Sequence, residues 1–402
     1  MSPGWPRYLA AFAALGVAEQ IQSVAIAWQI YQVAHRPFDL GLAGLVVFVP
    51  TLLLAPAAGV AGDRFDRRAI VAAAALVEVA ISLALIPLAG GHTNAVLAAD
   101  LGILTLAGIA RAFAFPAQSA LVPSIVPPEL YLCASAASSA LFSLVRIGGP
   151  ALGGALVAAG AAIAYGTVAV LALLVAAAIA TIPLLKRPAR NDLPTLRDAL
   201  EGFRFLRARP VIGGAITLDL FAVFFGGATA LLPVYAASIL RVGPFGYGVL
   251  RSAVSVGGTI CAALLARRPI ARHVGPRLLW SVAIFGGATV LFGVSRSLWL
   301  SALALAILGA SDMVSMRIRD ALVALGTPDE LRGRVTAIEG VFIVASNELG
   351  EFESGTLAAF AGPVAAVIAG GIATIVVVVL WTRLFPQLAR ADEISPPSTE
   401  TA

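Results

Sequence analysis

Apolar and polar positions alternate along this chain on a coarse scale. Twelve predominantly apolar runs fall near 8–34, 39–61, 69–90, 95–122, 131–158, 161–185, 211–239, 246–266, 277–294, 298–325, 335–359 and 363–384. A hydrocarbon layer about 30 Å thick needs roughly twenty residues of helix to cross it. Backbone polar groups find no water there, so each run must close its own hydrogen bonds as a helix. The pattern predicts an all-α integral membrane protein with twelve transmembrane helices. The one long polar break divides it into an N-terminal six-helix bundle (1–185), a linker (186–210), a C-terminal six-helix bundle (211–385) and a polar tail (386–402). An even number of spans puts both termini on one side.

Composition agrees with the pattern. Of 402 residues 59% are hydrophobic and 12% charged, with a mean hydropathy of +0.94, which suits a bilayer better than water. The net charge of +5 does not point to nucleic acid, because the basic residues gather in loops between apolar runs. Nineteen of the 27 Lys and Arg lie on one predicted side, against Arg36, Arg241 and Arg296 on the other. Cationic loops stay on the cytoplasmic side, so both termini are expected there. The densest loop is G-V-A-G-D-R-F-D-R-R at Gly59–Arg68. A charge at a helix centre costs about 2.5–3.5 kcal/mol on insertion scales, so this knot must sit at a membrane surface. The first apolar run contains Glu19 and no clear cleavage site, so it is expected to be a retained span. Cys133 and Cys261 are placed too differently to suggest a disulfide.

The halves repeat. Pro128–Leu130 (P-E-L) and Asp329–Leu331 (D-E-L) each head a span, 201 positions apart, and the same offset lays Gly149–Gly154 on Gly350–Gly355. Pro37, Phe38 and Gly41 match Pro244, Phe245 and Gly248. Parallel six-helix repeats with a site between them form a transporter architecture. With these features the chain resembles the major facilitator superfamily. Gly59, Asp63, Arg64, Arg67 and Arg68 fit that superfamily's signature between helices 2 and 3, with Asp66 where glycine is usual. Gly149, Pro150, Gly153 and Gly154 resemble the helix 5 motif of its antiporters, with Val145 where a further glycine is expected. The texture around Phe115–Ala117 is similar to the enterobactin-exporter-like branch of drug and secretion effluxers.

Polar groups inside spans are candidates for transport, because facing lipid is costly for them. Glu19, Gln22, Ser23 and Gln29 fall on one stripe of helix 1. Helix 11 carries Glu348, Glu351 and Glu353, whose mutual repulsion calls for a proton or an arginine. Arg146, Arg317 and Arg319 are the expected partners. Asp312 shares a helix 10 face with Arg319. The resemblance implies a cavity lined by helices 1, 4, 7 and 10, which adds Arg111 and Asp219 to Glu19 and Asp312. Glu78, in helix 3, reads as a structural group. The signature loop is expected to act as a conformational latch, with Asp63 against a helix N-terminus and its arginines on anionic groups. Topology anchoring is the simpler reading of the same charges. In the linker, Leu196, Leu200, Phe203 and Leu206 have helical spacing among arginines. That suggests either a helix on the inner leaflet or a tether between halves.

The lone lysine, Lys186, lies in no G-x-x-x-x-G-K-[ST] loop, so this chain carries no such ATPase. His35, His92 and His273 sit in or beside loops, and neither H-E-x-x-H nor G-x-S-x-G occurs. No enzymatic activity, metal or cofactor is expected. The reading is a monomeric, proton-coupled exporter of a small molecule (siderophore, drug or secreted metabolite) in the cytoplasmic membrane. A proton-linked importer, a lipid-type flippase, and a non-transporting sensor or scaffold are the alternatives.

Overall fold

The computed structural model describes residues 4–91, 93–183, 196–268, 270 and 272–393. Lys186, His92 and the end of the tail fall outside them, as do the side chains of Asp63, Leu196 and Leu200. Among the described residues the chain is helical, without strands. The spans are span 1 (Trp5–Ala34), span 2 (Pro37–Arg64), span 3 (Arg67–Leu85), span 4 (Asn94–Ile125), span 5 (Tyr131–Ala159) and span 6 (Ala161–Ala180). A linker helix (Leu196–Ala208) follows. Then come span 7 (Pro210–Ile239), span 8 (Gly243–Arg267), span 9 (Val274–Val294), span 10 (Leu298–Gly326), span 11 (Asp329–Ala361) and span 12 (Pro363–Leu384). Eleven are long and apolar enough to cross a membrane. Span 11 has the length, at 33 residues, but is interrupted by acids.

Local chemistry sets the ends. Pro37, Pro210 and Pro363 each open a span, where a missing N–H costs nothing. Asp66 caps span 3 by accepting from the Arg68 amide at 2.9 Å, which accounts for an aspartate at the usual glycine position. The turns after spans 5 and 11 use Gly160 (φ 149°) and Gly362 (φ 85°), a backbone region that L side chains avoid. The two glycines occupy matching places in the repeat. Span 7 breaks at Gly226–Gly227 and continues through a 3₁₀ turn into a π-helical stretch, Tyr235–Ile239.

The chain forms two compact units. One holds the chain to Leu193 together with Pro233–Ser252; the other holds Pro194–Leu232 and the remainder from Ala253. The C-terminal part of span 7 and the start of span 8 therefore pack with the first unit. In the first unit, span 1 packs on spans 5 and 6, span 3 on spans 4 and 6, and span 2 on span 4. Its core includes Trp5, Tyr8, Val71, Leu121, Ile125 and Ile179. In the second, span 9 packs on spans 10 and 12, and span 7 on spans 11 and 12. Trp381 there donates Nε1–H to Gly214 O at 3.0 Å. Large apolar side chains such as Leu53, Leu132, Trp299 and Phe360 remain exposed, as a lipid-facing surface requires.

The linker helix is not a free surface helix. Its Leu206 is buried with Ile212, Ile216, Val323 and Val335, and Gly202 sits against Ile338 and Arg334. Glu201 forms an ion pair with Arg334. Phe203, Arg204 and Arg207 face outward. Of the stripe that suggested a leaflet helix, Leu206 is buried in the second unit and Phe203 is exposed.

Candidate functional site

In the first unit, Glu19 lies at the middle of span 1, roughly 21 Å from its first residue at about 1.5 Å per residue. Arg111 on span 4 lies at a similar depth from the arginine-rich end, and Glu78 on span 3 at roughly 16 Å. The three meet: Arg111 is within electrostatic reach of both carboxylates, and Glu19 of Glu78. Gln22 and Ser82 face the Glu78 carboxyl. Yet Gln22 Nε2, Ser82 Oγ and Glu78 Oε1 are buried short of hydrogen-bond geometry. Buried polar atoms without partners are rare in folded proteins, so this cluster is polar, loose and mid-membrane. Two carboxylates against one guanidinium leave a charge of −1, which one proton cancels. Glu78 thus belongs with the group that sequence reasoning assembled around Glu19.

Gln29 parts company with Glu19 and Gln22. Its Nε2 donates to both oxygens of Asp100 at 2.9 and 3.0 Å, and its Oε1 accepts from Tyr165 O–H at 2.8 Å. Asp100 and Tyr165 are fully buried. Spans 1, 4 and 6 are cross-linked there by a closed network. Asp100 was not singled out from sequence, although an acid inside an apolar span is the same signal that marked Glu19.

In the second unit, Arg319 of span 10 pairs through Nη1 with Asp219 of span 7 and through Nε with Glu339 of span 11, the latter at 2.8 Å. All three side chains are at least nine-tenths buried. The sequence expectation gave Arg319 to Glu348, Glu351 and Glu353. The structure gives it to Glu339, because Glu348 lies a further nine residues, or about 13 Å, along the same helix. Glu353 accepts a 3.4 Å hydrogen bond from Ser354, and Glu348, Glu351 and Asp312 each have an interaction of their own. Arg317 is exposed. Arg146 lies 5.7 Å from the Phe142 ring, a cation–π contact.

The glycine motif acts by close approach. A methyl group at Gly149 would lie 2.6 Å from Gln20 Cβ, and one at Gly153 would lie 3.0 Å from Ile21 Cα. Span 5 therefore lies directly on span 1, around Pro150. At Gly154 a methyl would meet Gly248 Cα at 3.1 Å, so span 5 also touches the start of span 8. Nearby, Tyr31 O–H and Ser238 O–H share a hydrogen bond of 2.6 Å and Trp28 stacks on Tyr247. Gly350, the repeat partner of Gly149, approaches Phe224 and Val223 in span 7. It thus packs within the second unit.

In the signature loop, Arg67 donates to Ser124 Oγ at 3.2 Å and Arg68 to Ile182 O at 2.8 Å. Arg68 also chelates Asp66, and these hydrogen bonds hold the Asp66 carboxyl below the usual aspartate range. Arg64 is exposed, and nothing lies within 4 Å of a Cβ at Gly59. The Asp63 side chain lies outside the described residues. The loop's visible contacts tie span 3 to spans 4 and 6.

Residues 8–400 match the family described as transmembrane secretion effector. The chain belongs to this family of the major facilitator superfamily. Among curated relatives, the enterobactin exporter EntS of Escherichia coli O1:K1 / APEC is 27% identical over 407 residues, covering 98% of this chain and 94% of the relative. Among solved structures, a bacterial homologue of the iron transporter ferroportin in an inward-facing state superposes with a TM-score of 0.74 at 15% identity, covering 96% of this chain and 99% of that one. A D-xylose–proton symporter gives 0.70 at 12% identity, covering 96% and 98%. The fold is thus that of major facilitator transporters, and the secretion effectors it sits among are transporters rather than enzymes.

Proposed function

We propose that this secretion effector is a proton-coupled exporter of a small secreted molecule, of the siderophore class that its enterobactin-exporting relative handles. It works as a single chain by alternating access in the cytoplasmic membrane, with both termini inside. The observation that carries the reading is the mid-membrane cluster of Glu19, Glu78 and Arg111, whose carboxylates outnumber its guanidinium by one and whose neighbours Gln22 and Ser82 face Glu78 with loose geometry. Such a cluster gains a proton when open to one side and loses it when open to the other. One proton crossing 100 mV supplies about 2.3 kcal/mol, enough for roughly a 50-fold substrate gradient at about 1.4 kcal/mol per decade. The Gly59–Arg68 loop serves as the latch between conformations, and the helix 11 acids, Asp312 and Arg146 are further candidates for lining the path. The arginine asymmetry supports the orientation.

The test uses proteoliposomes and enterobactin as the probe. An imposed pH gradient of the exporting sign is expected to drive its movement, and a protonophore to abolish it. Movement indifferent to the pH gradient would reject proton coupling. No movement of enterobactin under any gradient would reject the substrate class.

A further inference from the structure

The second unit holds an ionic cluster that the cluster around Glu19 does not need. Asp219, Arg319 and Glu339 come from three different spans and are bound to one another. Counting from the arginine-rich ends of their helices, they lie roughly 14, 10 and 15 Å deep. With every group ionised the cluster carries one uncompensated negative charge. The nearby charges do not remove it. Asp320, next along span 10, adds negative potential at Asp219 and Glu339; Arg319 and then Arg317 act on it in turn, so with Arg317 counted against Asp320 the sum of charges is still −1. Asp320 and Arg317 are both exposed. Glu201 of the linker helix is taken by Arg334. Span 12, packed on span 7, brings no charge except Arg383 in its last turn.

The surroundings of the cluster are apolar on one side. Ile216 lies three residues before Asp219, Val323 four after Arg319, and Val335 four before Glu339. Each is thus one turn nearer the arginine-rich surface on its own helix. These three are buried together with Leu206 of the linker helix and Ile212, and they form an apolar floor beneath the charges. An unbalanced buried charge is among the least tolerable states in a protein interior, and such a floor denies it water.

We infer that Asp219, Arg319 and Glu339 form a second proton-binding site, holding one proton on one carboxyl while Arg319 neutralises the other. We further infer that the linker helix, through Leu206, seals this site from the arginine-rich side. The proton enters from water on that side when the floor opens and leaves by the same group, so no other reactant is involved. This deepens the proton-coupled reading and rests on it for its use in transport, but the charge count stands without it.

Infrared difference spectroscopy on the purified full-length protein tests the site with no substrate present. The wild type is expected to show the C=O band of one protonated carboxylic acid that is missing from Glu339→Gln and from Asp219→Asn alike, because either change leaves a neutral pair. Spectra in which neither variant loses such a band would overturn the site. In deuterated water, Leu206→Ser is expected to keep the band and to accelerate its isotope shift at least tenfold. An unchanged exchange rate would overturn the seal. Transport driven by a pH gradient does not enter this measurement, so loss of either claim is distinguishable from loss of the other.

Discussion

Replacing Gln29 by Leu separates a structural role from a transport role at one position. The amide makes three buried hydrogen bonds, two to Asp100 and one from Tyr165. Interhelical hydrogen bonds in membrane proteins average about 0.6 kcal/mol and reach about 1.7, so their removal costs about 2 kcal/mol. Asp100 has no exposed surface and would be stranded. A buried polar group left without its partner costs about 1–3 kcal/mol more. The expected loss is about 3–5 kcal/mol, read from unfolding in a graded detergent series. Asp100→Leu in the same chain removes the stranded carboxylate, so the double variant recovers about 1–3 kcal/mol of that loss. Per folded molecule, transport by Gln29→Leu is expected to stay within twofold of wild type. A variant of wild-type stability that no longer transports would refute the reasoning and return Gln29 to the substrate path.

Two substitutions on span 5 form a matched pair. Gly154→Leu drives a side chain into the Gly248 backbone, whereas a Cβ at Gly148 meets nothing within 4 Å. Thermal scans in detergent are expected to show Gly154→Leu markedly destabilised and Gly148→Leu within about 0.5 kcal/mol of wild type; equal midpoints would count against the close contact. Asp66→Ala removes the cap of span 3 and should cost about 0.5–2 kcal/mol at pH 7. Because Arg68 holds the Asp66 carboxyl low, its contribution is complete above the ordinary aspartate range near pH 4 and is lost as pH falls through its lower native value. The gap between wild type and Asp66→Ala melting should therefore narrow only in strong acid, and a gap already closed at pH 5 would contradict this.

Legibility in the sequence followed the physics of each feature. Span limits were readable because the cost of charge in hydrocarbon is steep, so the ends at Ala34, Ala159 and Leu384 lie close to the limits of the apolar runs. The break in span 7 was not readable, since Gly226–Gly227 resembles many glycine pairs that leave a helix intact. Pairing was the weaker part. Spans that are apolar all round give no face to orient them, so nothing in the spacing showed Glu78 turning toward Glu19 or Glu339 toward Arg319. In helix 11 the three acids close together at Glu348, Glu351 and Glu353 drew attention from Glu339, nine residues earlier, which holds Arg319. The linker left two readings open for a different reason. An amphipathic stripe is the same whether it meets lipid or protein, and Leu206 meets Val335 and Ile216.

The central claim is that the Glu19 cluster is where a proton meets the transport cycle. The most direct measurement compares wild type and Glu19→Gln in proteoliposomes by two assays, equilibrium exchange of labelled enterobactin and its uptake under an imposed pH gradient. The account predicts that Glu19→Gln keeps exchange and loses gradient-driven accumulation. Full gradient-driven accumulation by Glu19→Gln would contradict it.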